Sequence, residues 1–136
     1  MIKPKKVSVI AITVRDIERS LAWYREKFGF EKLYDDAPNS DGVVVGTNGV
    51  ELVLRQMENP DTARPVDRSA QICFQVFGFE VDEADLERVE HEFPEDTDII
   101  RLDDHPRYRC RIIEDPDGHS IVLIVHRHGH MREDAA

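Results

Sequence analysis

The sequence predicts an α+β fold: one domain of 136 residues, built from two β-α-β-β-β repeats whose curved mixed sheets surround a central cavity. Three observations carry this. Twice an alternating stretch leads toward a capped helix, first at 7–14 ahead of Asp16 and again at 71–76 ahead of Asp82. Each helix is followed by a short strand and then by two strands joined through a turn that contains glycine. Between the two patterns, 58–67 holds two prolines and several polar residues with neither helical nor strand period, as a connection does. The repeats therefore span about 7–57 and 69–126, with a tail at 127–136.

In the first repeat, Ile10, Ile12 and Val14 alternate with Val9, Ala11 and Thr13, the period of a strand. Asp16 stands where an N-cap carboxylate accepts backbone N–H groups. Ile17, Leu21, Tyr24 and Phe28 follow at helical spacing until Gly29 closes the helix. A strand is expected at 30–34, a loop at 36–41, and a hairpin of 43–45 with 50–54 across Gly46-Thr47-Asn48-Gly49, since Asn and Gly tolerate positive φ. In the second repeat Leu86, Val89 and Phe93 mark the inward side of the helix, and Pro94 stops it. A short strand is expected at 99–102, and 108–113 pairs with 120–125 across Asp115-Pro116-Asp117-Gly118.

The 18 Lys and Arg against 28 Asp and Glu give a formal charge of −10, which argues against a nucleic-acid partner, because phosphate binding wants a basic face. Such charge serves solubility, and it also raises the local concentration of cations. Cys73 and Cys110 each lie in a strand-like stretch outside any metal-binding spacing, which suits buried thiols in a reducing compartment. Lys3, Lys5 and Lys6 are followed by a short strand and a charged helix rather than a secretory apolar region, and no apolar run is long enough for a bilayer, so a cytoplasmic protein without a membrane partner is expected. No serine sits in a nucleophile elbow, and Gly46-Thr47-Asn48-Gly49 is too short for a phosphate loop. His126, His128 and His130 alternate in the tail and read as solvated.

Asp16-Ile17-Glu18-Arg19-Ser20-Leu21-Ala22-Trp23-Tyr24, closing on Phe28-Gly29-Phe30, resembles the first helix of the vicinal oxygen chelate superfamily, that of glyoxalases, bleomycin-resistance proteins and extradiol dioxygenases. Glu114-Asp115-Pro116-Asp117-Gly118-His119 resembles its last hairpin, and with the repeat the likeness covers 7–125. The resemblance implies a glyoxalase/bleomycin-resistance-like fold, and in the enzymes of the family a divalent metal held by His, Glu and sometimes Gln on symmetry-related strands. Carried over, the first position is Val9 and the last Val122. The first hairpin offers Val53, or Glu51 with a slightly different turn, and the remaining position is Gln71 or Val76 according to register. A valine has no lone pair, and Glu51 with Gln71 would leave two oxygens and no imidazole, so neither metal nor other cofactor is expected. His105 and His119 read as turn residues.

Without a metal, the wall of the cavity is mostly apolar with a few polar groups: Val9, Ala11, Thr13, Glu51, Val53, Arg55, Gln71, Cys73, Ser120, Val122 and Ile124. This composition suits a small organic molecule. Glu51 and Arg55 lie on one side of one strand; they either pair with each other or leave Glu51 to favour a cationic ligand. Arg107, Arg109 and Arg111 share one face of the penultimate strand and read as a solvated edge. Two functions follow: a metal-independent binding protein acting as a homodimer, or a metal-dependent lyase, isomerase or dioxygenase using Glu51, Gln71 and a histidine from a partner chain.

Overall fold

The structure, a computed structural model, describes residues 1–36, 41–62, 75–92, 97–98 and 106–127. The chain divides into two compact units, Met1–Arg64 and Pro65–Ala136. Each contains one small mixed sheet and one helix, so the fold is α+β.

The first unit runs β1 (Ala11–Val14), α1 (Ile17–Phe28), β2 (Glu31–Asp35), β3 (Gly42–Thr47) and β4 (Val50–Gln56), with a short 3-10 turn at Pro60–Thr62. Its sheet has the order β1-β4-β3-β2, with β1 parallel to β4 and the other pairs antiparallel. The Asp16 carboxylate accepts from the backbone N–H of Glu18 and Arg19 at 3.0 and 3.3 Å, satisfying donors that the first turn leaves without partners. Gly29, at φ 69°, ends the helix by donating to Arg25 O at 2.9 Å, and Phe30 N reaches Tyr24 O at 3.3 Å. This reversal lays the Phe30 ring on Tyr24, with centroids 6.0 Å apart and planes 15° from parallel. Ile12, Val14, Leu52 and Leu54 are buried on the side of the sheet that α1 covers. Asn48 and Gly49 both have positive φ, 51° and 81°, as the two-residue hairpin turn demands.

The second unit runs β5 (Gln75–Glu80), α2 (Glu83–Glu92), β6 (Thr97–Asp98), β7 (Tyr108–Glu114) and β8 (Ser120–His126). Its sheet, β5-β8-β7-β6, repeats the first, with the outer strand β5 parallel to β8. Leu86 and Val89 of α2 are buried, and the helix packs on β7 and β8. Among the described residues no helix is long and apolar enough to cross a membrane.

Several expectations are corrected. The first strand begins at Ala11 rather than residue 7, because the ladder with β4 reaches back only to the bond from Val53 N to Ile10 O, 2.9 Å, and Val7 and Val9 lie exposed beside it. The strand that feeds α2 is described from Gln75 and runs to Glu80, past the expected end at 76, and 71–74 fall outside the described residues. The expected strand at 99–102, the turn residue His105, Phe93, Pro94 and the tail histidines His128 and His130 also fall outside them. Of the expected solvated edge of Arg107, Arg109 and Arg111, only Arg107, which precedes β7, is exposed. Arg111 is buried, with Nη1 donating to Cys110 O at 2.9 Å, and Arg109 pairs with Glu83 of α2, on a strand that lies between β8 and β6.

Candidate functional site

In the first unit the register sets Ala11 beside Val53 and Thr13 beside Arg55, with Val44 and Gly42 next in the row. Glu51, Val53 and Arg55 therefore share with Ala11 and Thr13 the face turned away from α1. Ala11, Thr13, Glu51 and Arg55 are exposed there, Val9 is 64% exposed, and Val53 is buried. On β3 this face carries Gly42, Val44 and Gly46, so only Val44 presents a side chain there. At Gly46 the choice is forced, since an added Cβ would come within 2.1 Å of Val50 O.

Arg55 does not pair with Glu51. Its Nη2 lies 3.0 Å from Asp36 Oδ2, and among the described residues Glu51 has no ion-pair partner. Arg55 and Thr13 also line a pocket of about 410 Å³ with Asp41, Gln56, Met57, Glu58, Asn59 and Thr62. Gln56 holds its own place: Oε1 accepts from Ile17 N at 3.2 Å, and Nε2 donates to Arg15 O at 2.6 Å and to Met57 O at 3.3 Å.

In the second unit, Ser120, Val122 and Ile124 share the face turned away from α2, beside Cys110, Ile112 and Gly78. Cys110 and Ile112 are buried, Val122 and Ile124 are half-buried, and Ser120 is 1% exposed. The Ser120 hydroxyl has no hydrogen-bond partner among the described residues. Gln71 and Cys73 lie outside them.

Of the four positions that the resemblance carries over, the register relates two, Val53 and Val122. Val53 stands beside Ala11 as Val122 stands beside Gly78, which makes Val53 and not Glu51 the counterpart of Val122. Two residues before those neighbours come Val9 and, at an irregularity in the β5–β8 register, Val76; the other candidate for the fourth place, Gln71, lies outside the described residues. The isopropyl side chains of Val53 and Val122 offer no donor atom, so the residues at these two positions do not fit a divalent metal.

A second group of ligating side chains, Asp115, Asp117 and His119, lies in the turn between β7 and β8, its donor atoms within 4.8 Å of one another. Its hydrogen bonds explain it as architecture. The buried Asp115 accepts from Asp117 N at 3.0 Å and His119 N at 2.8 Å through Oδ1, and its Oδ2 meets His119 Nδ1 at 2.7 Å. Burial alone would lower the pKa of His119, but the hydrogen bond to Asp115, its charge and that of Asp117 outweigh this and raise it above the usual 6.5.

Sequence reasoning missed Asp36, Asp41 and the 56–62 wall of the pocket, which come together only through strand pairing. Asp115 as the anchor of His119 was within reach, because an aspartate four residues before a histidine across Pro-Asp-Gly can close such a turn.

The model for the Glyoxalase/Bleomycin resistance protein/Dioxygenase superfamily matches residues 6–123. No curated protein matches the chain. Among solved structures, a glyoxylase/bleomycin resistance protein/dioxygenase domain from Frankia sp. EAN1pec superposes with a TM-score of 0.70 at 20% identity, covering 97% of this chain and 99% of that one. A fosfomycin resistance protein from Mesorhizobium loti gives 0.65 at 18% identity, covering 98% of each chain. A lactoylglutathione lyase from Agrobacterium tumefaciens gives 0.62 at 19%, covering 90% of this chain and 94% of its own. At these identities the structures speak for the fold alone. With a family model spanning both sheets and these superpositions, the chain belongs to the glyoxalase/bleomycin resistance/dioxygenase superfamily.

Proposed function

We propose that this chain is a small-molecule-binding protein of its superfamily that works without a metal centre, as a homodimer in the cytoplasm. The observation that carries the reading is the set of valines at 9, 53, 76 and 122, where a metal-dependent member needs lone pairs. Glu51 does not rescue the site, because it is exposed and a lone carboxylate holds a transition metal poorly without further ligands. What these faces offer instead is apolar surface, worth roughly 25 cal/mol per Å² that a ligand covers, together with a few polar atoms, the buried Ser120 hydroxyl among them. An organic molecule with a substantial apolar part suits that lining. The buried thiol of Cys110, in no disulfide among the described residues, fits a reducing compartment.

The test is elemental analysis of the purified full-length chain alongside a thermal-shift panel of aromatic compounds. No stoichiometric iron, nickel or zinc is expected, and a neutral apolar compound should stabilise the protein but not its Val122→Glu variant. Stoichiometric metal lost in Glu51→Gln would overturn the reading. Light scattering checks the dimer, in which a two-fold axis would join the same face of both copies.

A further inference from the structure

We propose that the pocket at the ends of β1 and β4 receives the cationic group of a small organic amine or quaternary ammonium compound, with Asp41 and Glu58 as its counter-charge. This rests on the reading of the chain as a binding protein and says where, and with what chemistry, one part of the ligand is held.

The pocket, about 410 Å³, lies within the size range of small-molecule sites. Its walls are fixed before any ligand arrives. Gln56 N donates to Asp41 O at 2.7 Å and Met57 N to Val14 O at 2.9 Å, which ties both flanking segments to the sheet. The Gln56 side chain is bonded to Arg15, Ile17 and Met57, and Thr62 Oγ1 donates to Asn59 O at 2.8 Å, so the far wall is closed on itself. The walls therefore need little ordering, and what a ligand must order is the exposed side chains of Asp41 and Glu58.

The charges select its sign. Arg55 is the cation in the lining, and Asp36 already neutralises it at 3.0 Å. Asp41 and Glu58 have no side-chain partner among the described residues, which leaves two uncompensated carboxylates around one cavity. An anion would meet both, whereas an ammonium group would neutralise them, and a net charge of −10 on the chain speeds its approach. Met57 supplies an apolar surface for the adjoining carbon atoms, and Thr13 and Asn59 supply polar groups that can orient the ligand.

The experiment is a titration of the ¹⁵N-labelled full-length chain with phenethylammonium, neutral 2-phenylethanol and anionic phenylacetate, followed by NMR at low and high salt. Phenethylammonium should shift the amides of Thr13, Gln56, Met57 and Asn59 and bind more tightly than the other two, with the advantage shrinking in salt. Asp41→Asn and Glu58→Gln should each weaken it by about 2- to 5-fold, the range for exposed ion pairs. Arg55→Gln should strengthen it by a similar factor because it releases Asp36, an effect of a sign that a merely structural role would not give. Equal binding of phenylacetate, no shift with any probe, or weakened binding in Arg55→Gln would overturn the proposal. Shifts confined to amides near Val122 and Ile124 would also overturn it while leaving the binding-protein reading intact, whereas stoichiometric metal would sink that reading whatever the probes do.

Discussion

The turn between β7 and β8 makes a quantitative prediction about stability. The Asp115 side chain is 0% exposed and accepts three hydrogen bonds, from Asp117 N at 3.0 Å, His119 N at 2.8 Å and the His119 ring at 2.7 Å. Hydrogen bonds to a charged group contribute about 1.5–3 kcal/mol each, and they do not add fully when they share one acceptor group, so Asp115→Ala should cost about 4 kcal/mol. Asp115→Asn keeps an oxygen for the two backbone donors but loses the charge that His119 sees, and should cost about 2 kcal/mol. His119 adds a pH dependence whose sign follows from its raised pKa. A group that holds its proton more tightly when folded stabilises fully below its unfolded value, about 6.5, and that contribution is lost as pH rises through the higher folded value. Neutral His119 still donates from Nδ1, so only the charge contribution disappears. Urea unfolding followed by circular dichroism at about pH 6 and about pH 8.5, on wild type, Asp115→Ala and His119→Asn, provides the check. The gap between wild type and His119→Asn should narrow at the higher pH. A gap that widens, or an Asp115→Ala variant within about 1 kcal/mol of wild type, would refute the account of the turn.

Gly46→Ala should destabilise by more than about 2 kcal/mol, since its Cβ would sit 2.1 Å from Val50 O and the hairpin must open to admit it; thermal unfolding measures this, and a neutral result would mean a different register. Gln56→Ala should cost about 2 kcal/mol and speed hydrogen exchange at Ile17 N, whose acceptor it removes; unchanged protection there would count against the anchoring role. Ser120→Ala should leave the ligand-free protein as stable or up to about 1 kcal/mol more stable, because the hydroxyl it removes is buried without a partner, and a clear loss in chemical denaturation would reveal a bond that Ser120 makes.

The sequence made α1 legible because every signal for it is local: a capping aspartate, apolar residues at helical spacing, and a glycine that takes φ 69°. The first hairpin was legible for the same reason, through Asn48-Gly49. Strand β5 runs on to Glu80, past the expected end at 76, through Gly78, a residue that weakens a strand's interior. A Cβ there would stand 3.1 Å from Val122 O and 3.2 Å from Val122 Cβ on the neighbouring strand, a tight fit that glycine avoids. That reason is invisible until the pairing is known. Arg111 shows the same limit. Its alternation with Arg109 was read correctly, but whether the strand is central or at an edge depends on sheet order, which a single strand does not encode. The Arg55–Asp36 pair joins a strand end to a loop nineteen positions away and carries no local signal.

The residues that betray the family and the residues that would define its chemistry lie in different parts of this molecule, and the reason is physical. Asp16 satisfies the first turn of a helix, Gly29 and Phe30 reverse the chain at its end, and Asp115 closes a turn by accepting three bonds. Each binds backbone groups that any chain folding this way must satisfy, so each reports the fold whatever the protein binds. A side chain on the face turned away from the helix has no part in the ladder, and valine, glutamate or histidine can stand there with the backbone bonds unchanged. Position 122 illustrates this: its backbone keeps register with Gly78 and Ile112 on either side, while its isopropyl side chain has no atom that can ligate a cation. Reaction class in such a fold must therefore be read from the strand faces, where Val53 and Val122 of this chain offer a metal neither oxygen nor nitrogen.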